Sequence, residues 1–366
     1  MRVSATLSVY IGRQFFWSFL GLLLVILLIV LLFDTVELLR RAHGQSGVSF
    51  AQLLEMAFLK LPYMGQQMFP FAALFGGMLT FWRLARHHEL VVTRAAGISA
   101  WQFLLPVIGV GFLLGVLMTV ALNPLASASL SQYERREALM LKGNHNLLAL
   151  GASGIWLRQA NADGQAVIRA SRILTAGNDI TLYDLTVFRY RGSDEFYQRI
   201  DAELAELEDG FWRVQNAHVQ EPENPAQFDE TVWLETDLTL ASIQDSFAPP
   251  ETMSFWSLPG FIQKLEDSGF SAVRHRLHLH SLLAAPLLMC AMVLIAATFT
   301  LRTSRRGGAT YVVTGGVLTG FVLYFFSDIV FALGQSDSIP VVLAAWTPSG
   351  VATLLGLAML LHLEDG

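Results

Sequence analysis

Arg40 and Arg41 follow an apolar run by about two turns of helix, and Glu37 lies one turn before Arg41. Guanidinium forks match the oxygens of phosphate in charge and in plane, so such a pair suits a phosphorylated ligand. Lys60 precedes a second apolar run, and Arg135 and Arg136 follow a third. Together these bases could form a rim around an opening between helices. A rim of that kind fits an amphiphile with a phosphorylated head and acyl tails. The alternative is a set of surface ion pairs, such as Glu37 with Arg41 and Glu134 with Arg135 or Arg136.

A second group lies in FWRLARHHELVVTRAAGISAWQF. Residues 83–96 are good helix formers, and Gly97 can end the helix. Leu84, Val91 and Ala95 recur on one face. Arg86, Glu89 and Thr93 lie on another, where Arg86 and Glu89 can pair at i, i+3. With Arg94 close by, this reads as a short charged helix between two apolar runs. In ABC transporters, helices of this kind dock into clefts of the ATPase subunits. The alternative is a plain connecting helix with a solvated face.

The remaining reactive side chains carry little. No G-x-x-x-x-G-K-[ST] phosphate loop is present, and Gly76-Gly77, Gly307-Gly308 and Gly315-Gly316 read as close packing. His87-His88-Glu89 is half of a zinc-protease signature, but Val92 stands where the second histidine belongs. His275, His278 and His280 read as an interfacial polar patch, with metal binding a weak alternative. No serine sits in a G-x-S-x-G elbow. Asp34 and Asp328 read as helix-end carboxylates that are solvated or salt-bridged.

The elements that must position these residues are mostly membrane spans. Of 366 residues, 53% are hydrophobic and only 15% charged, and the mean hydropathy is +0.48. Soluble domains carry about 25% charged residues, so a cytosolic enzyme is disfavoured. Gln14–Phe33 is uncharged, and twenty helical residues rise about 30 Å, the thickness of a bilayer core. Leu61–Trp82 is a second uncharged run. A third begins at Ala95 and meets no charge for 39 residues, with Asn123 and Pro124 marking its end. Three more lie at about Leu277–Leu301, Ala309–Ser327 and Ile339–Leu361.

Six spans place both termini on one side, and the bias of Lys and Arg places that side in the cytoplasm. Arg2, Arg13, Arg83, Arg86, Arg94, Arg302, Arg305 and Arg306 then lie inside. The connection holding Asp328 and Asp337 lies outside, as does the acidic middle. Arg40, Arg41 and Lys60 are external and run against the bias.

The formal net charge of −6 argues against nucleic acid, but it averages two environments. Residues 134–276 hold 22 Asp/Glu against 13 Lys/Arg, a net of −9, while the rest nets +3. In the middle, GIWLRQA, QAVIRASRI, DITLYDLTVFRY, FWRVQNAHVQ and ETVWLETDLTL alternate apolar and polar residues. That pattern predicts an all-β sandwich or jelly roll. Ser257–Gly269 predicts a short amphipathic helix with Phe261, Ile262 and Leu265 on one face. The expected fold is therefore a six-helix membrane protein, three spans then three, with an inserted periplasmic β-jelly-roll-like domain. The boundaries are 1–133, with the cytoplasmic coupling helix at about 83–97, then 134–256, then 257–366. Cys290 is the single cysteine, which excludes an internal disulfide.

The order of these parts resembles the LptF/LptG permease family of lipopolysaccharide export, over nearly the whole chain. The segments that carry the resemblance are YIGRQFF, MFPFAALFGGML, HELVVTRAAGIS and GFVLYFFSDIVFALGQSDSIPVVLAAWTPS. YIG, TVELLRRA and the tail favour the G-type branch over the F-type. The resemblance implies a Gram-negative inner-membrane subunit paired with an F-type permease. It implies a cytosolic ATPase dimer below, a single-span accessory subunit beside it, and lipopolysaccharide as cargo. The chain needs no cofactor of its own, since ATP and magnesium belong to the ATPase. The glutamate of the family's coupling helix falls on Glu89, and its basic residues fall on Arg40 and Arg41 and, more loosely, on Arg135 and Arg136. Asp34 and Tyr63 stand where the family can carry bases, with Lys60 near the second.

Two other classes fit parts of the pattern. A lipoprotein-release or macrolide-export permease usually has four spans, with its soluble domain after the first. A membrane assembly protein would have no ATPase partner.

Overall fold

The computed structural model describes residues 5–43, 49–95, 97–140, 155–161, 164–176, 179–191, 195–222, 224–236, 249–267, 271–303 and 309–364. Helix α1 is Ala5–Ala42, α2 is Phe50–Arg86, α3 is Glu89–Ala95 and α4 is Ala100–Leu117. A π-helical turn, Met118–Leu122, joins α4 to α5 at Asn123–Met140. After the strands come a 3₁₀ turn at Pro250–Thr252, α6 at Leu258–Asp267, α7 at Val273–Thr303, α8 at Ala309–Gln335 and α9 at Val341–Glu364.

Six helical stretches among the described residues are long and apolar enough to cross a membrane. They are Ala5–Ala42, Phe50–Arg86, Ala100–Ala138, Val273–Thr300, Thr314–Gln335 and Val341–His362. Three precede the strands in the chain and three follow them. Ser49 and Ser99 start α2 and α4 with capping boxes, each serine accepting from the backbone of a glutamine three residues on. Those two boxes satisfy backbone N–H groups that a helix start leaves open.

The charged connecting helix differs from its expected extent. It is not continuous over 83–97: His88 takes a left-handed φ of +60°, and α2 ends before it. A left-handed L-residue cannot sit inside a right-handed helix. Arg83 and Arg86 therefore belong to the last turn of α2, and Glu89 opens a separate seven-residue α3.

The spans form one compact unit from residues 1–133, 250–259 and 273–366. Its core contains Phe15, Phe19, Leu74, Phe81, Leu104, Met289 and Val293. Helix α7 passes through it. A Cβ on Gly115 would stand 2.5 Å from Pro286 Cα, and one on Gly76 would stand 2.9 Å from Phe19 Cα. Glycine at those two points lets α4 reach α7 and α2 reach α1 backbone to backbone.

The second unit covers residues 134–249 and 260–272. Six strands pair antiparallel in sequence order: β1 Ile155–Asn161, β2 Gly164–Ala176, β3 Asp179–Arg191, β4 Glu195–Glu208, β5 Phe211–Gln220 and β6 Gln227–Glu235. Ile168, Leu182, Val187, Ile200, Trp212 and Val214 form its core on one face. Gly210, with φ +81°, makes the tight turn that sets Glu208 opposite Phe211. The described strands are a simple meander, and no Greek-key crossover occurs among them. Strand β4, absent from the alternating segments picked out above, is the longest of the six. In α6, Ile262 and Leu265 are buried as expected, Leu258 joins them, and Phe261 is only half-buried; Gly269, the expected cap, lies outside the described residues.

Candidate functional site

The first unit has two ends with different chemistry. At the end where α1 stops and α2 starts, Glu37 holds both arginines. Arg40 Nε and Nη2 donate to its two carboxylate oxygens at 2.8 Å each, and Arg41 Nε donates to Oε1 at 2.8 Å. The ion pair of Glu37 with Arg41, the alternative to a phosphate-binding rim, is thus present, and Arg40 joins it. The arginine side chains are 77% and 51% exposed. Surface pairs add little stability. What this one does is hold two guanidiniums on one carboxylate while leaving much of each exposed.

Lys60 has a different place. It donates to Asp34 Oδ1 at 2.5 Å, with both side chains mostly buried, and its ammonium lies 5.4 Å from the centre of the Tyr133 ring. It ties α2 to α1 rather than standing with the exposed arginines. Asp34 is salt-bridged, one of its two expected fates. Arg135 and Arg136 lie on α5 within the second unit, Arg135 exposed and Arg136 half-buried.

At the opposite end, α3 starts on Glu89, where a carboxylate faces the positive pole of the helix. Tyr10 of α1 donates its hydroxyl to Glu89 Oε1 at 3.3 Å. Arg86 lies 5.2 Å from the centre of the Trp82 ring, and the expected pair with Glu89 is not among the bonds of the described residues. The break at His88 accounts for this, because Arg86 and Glu89 no longer share one helix. The side chain of Arg94 lies outside the described residues.

A cavity of about 950 Å³ opens between α2, the π turn, α7 and α8. Its apolar walls include Phe71, Phe75, Met289 and Phe321. Its polar groups include Tyr63, Gln66, Gln67, Glu251, His278 and Asp328. Glu251 is carried by the 3₁₀ turn, and that segment is pinned to the π turn. The Phe255 N–H donates to Asn123 Oδ1 at 2.6 Å, and Trp256 Nε1 donates to the Val120 carbonyl at 3.1 Å. A π turn displaces carbonyls from their helical partners, which frees one here for a side chain. Thr119 completes the join by donating to the Leu282 carbonyl at 2.9 Å.

Sequence reasoning gave no role to Tyr10 or Glu251, and read His278 and Asp328 as boundary polarity. The available signal was that ionisable groups within spans are functional candidates by default. Among the described residues, no group of three His, Cys, Asp or Glu is placed to hold a metal ion.

Comparison with known proteins follows the same outline. The family described as lipopolysaccharide export system permease LptF/LptG matches residues 9–362. The lipopolysaccharide export system permease protein LptG of Escherichia coli strain K12 is 26% identical over 369 residues, covering 99% of each chain. The protein of the same description from Haemophilus influenzae is 23% identical over 354 residues, covering 94% of this chain and 95% of its own.

Proposed function

This chain belongs to the lipopolysaccharide export system permease family LptF/LptG, and from that premise we propose that it is the G-type permease subunit of an export transporter that lifts lipopolysaccharide out of the inner membrane. Its spans sit in that membrane with both termini in the cytoplasm, and the sheet unit lies in the periplasm. An F-type permease stands opposite, a cytosolic ATPase dimer binds below, and a single-span accessory subunit joins them. ATP and magnesium are handled by the ATPase.

Each end then has a task. Closure of the ATPase subunits pushes on α3 through Glu89. Tyr10 passes that displacement to α1, because its hydroxyl is bonded to the same carboxylate. At the far end of α1, Arg40 and Arg41 hold the phosphates of the lipid, and Glu37 keeps their guanidiniums aligned. Apolar span faces hold the acyl chains. As the cavity contracts, the lipid moves toward the sheet, which acts as a jelly-roll-like groove. Exposing acyl chains to water costs about 0.8 kcal/mol per CH₂, so a covered route is needed.

The observation that carries this reading is the exposure that Arg40 and Arg41 keep while bonded to Glu37, 77% and 51% of each side chain. They stand at the end of a helix whose apolar stretch is only 22% buried. Phosphate and acyl chain are then met by neighbouring parts of one element. Copurification in mild detergent followed by mass spectrometry tests the assembly. The expected result is an F-type permease, a small ATPase and bound lipopolysaccharide. Recovery of the chain with none of the three would refute the proposal.

A further inference from the structure

We infer that the polar part of the cavity is a hydrogen-bond-acceptor subsite, with Glu251 and Asp328 as its acceptors, for the hydroxyl- or ammonium-bearing part of an amphiphile's head. The inference rests on the export reading and divides the head between two places: phosphates at Arg40 and Arg41, donors in the cavity.

Three observations support it. First, the cavity is lined by two carboxylates and, among the described residues, by no Lys or Arg. A phosphate entering it would meet only like charge, and repulsion grows as lipid excludes water. An ammonium or a hydroxyl meets acceptors instead. Secondly, neither Glu251 nor Asp328 has a hydrogen-bond or ion-pair partner among the described residues. Asp328 is exposed and Glu251 half-buried, so water serves both until an entering amphiphile displaces it, and the head must then supply the donors. Thirdly, His278 lines the same cavity, is an electrostatic neighbour of Glu251, and has its Nε2 buried without a hydrogen-bond partner among the described residues. That ring nitrogen is a buried polar group in the cavity wall whose hydrogen bond the described residues leave unmade.

The position of Glu251 is built rather than incidental. Phe255 and Trp256, a few residues beyond its turn, are bonded to Asn123 and to the Val120 carbonyl of the π turn. Asp328 comes from α8, on another wall of the cavity. Two acceptors on separate elements can grip a sugar-sized head from two sides.

The test uses the full transporter in nanodiscs. Two probes are compared: lipopolysaccharide with bare phosphates, and lipopolysaccharide whose phosphates are capped by an amino sugar. Capping also weakens the hold of Arg40 and Arg41, equally in wild type and variant, so the readout is the ratio of amine-capped to bare binding compared between the two proteins. Glu251→Gln with Asp328→Asn keeps shape and removes charge, and should lower that ratio about three- to tenfold, the range of one or two charge-assisted bonds. Asp328→Asn alone, at an exposed site, should lower it part-way, and copurification of the ATPase confirms that each variant is folded. A ratio unchanged in the double variant overturns the subsite while leaving export intact. Binding of neither probe by wild type overturns the export reading, and the subsite with it.

Discussion

Helices α1 and α7 are both uncharged through their middles, yet they are used in opposite ways. In α7 the apolar stretch is 72% buried, and in α1 it is 22% buried. Helix α7 is packed along its length, with Met289, Val293, Ala296 and Ala297 fully enclosed. Helix α1 buries one stripe, Ile11, Phe15, Phe19 and Leu23, and leaves Leu24, Leu28 and Leu32 open. Its polar ties are at its two ends, Tyr10 to Glu89 and Asp34 to Lys60. One helix is the pillar of the unit. The other is a flank that lipid or a partner subunit can cover, and it joins the two charged ends. Hydropathy alone does not separate these uses, because the bilayer accepts both.

Substitutions can break or sharpen that contrast. The largest effect is expected at the pillar. Gly115→Leu forces a side chain into Pro286 and should cost about 3 kcal/mol or more, read as loss of monodisperse protein in detergent. Recovery of well-folded G115L would contradict the packing of α7. Lys60→Met comes next, because it leaves Asp34 buried without its cation. A cost of about 2–3 kcal/mol is expected in thermal unfolding, and Asp34→Asn in the same chain should recover part of it. Glu89→Lys should leave the isolated chain as stable as wild type but lower ATPase copurification about tenfold or more, since a docking charge is reversed. Tyr10→Phe removes one hydrogen bond between α3 and α1. It should reduce ATP-driven lipid release about three- to fivefold without loss of ATPase binding, and an unchanged rate would remove Tyr10 from the transmission path. The smallest effect is expected on the flank. Leu28→Ala should change the stability of the isolated chain by less than about 0.5 kcal/mol.

Much of this architecture is legible in the sequence. Long uncharged runs announce the six helices, because a bilayer leaves a chain few other options. Alternation announces five of the six strands. Strand β4 escapes because EFYQRIDAELAELE is rich in Ala, Glu and Leu, all good helix formers, and only its neighbours β3 and β5 hold it extended. The break at His87–His88 is equally hidden, since histidine gives no warning of a left-handed turn where glycine would. The Glu37–Arg41 pair is local in sequence, so its spacing suffices to foresee it, while Arg40 joins it only in the structure. The cavity is not. Glu251, His278 and Asp328 come from three separate elements, and only the fold brings them around one space.

The central claim is that the exposed fork on the flank helix holds the phosphates of the cargo. Its most direct test is ATP-driven release of lipopolysaccharide from reconstituted transporter carrying Arg40→Glu with Arg41→Glu. The account predicts that release and lipid-stimulated ATP hydrolysis are lost while the complex still assembles and its basal ATP hydrolysis persists. Release at the wild-type rate from an intact complex would contradict it.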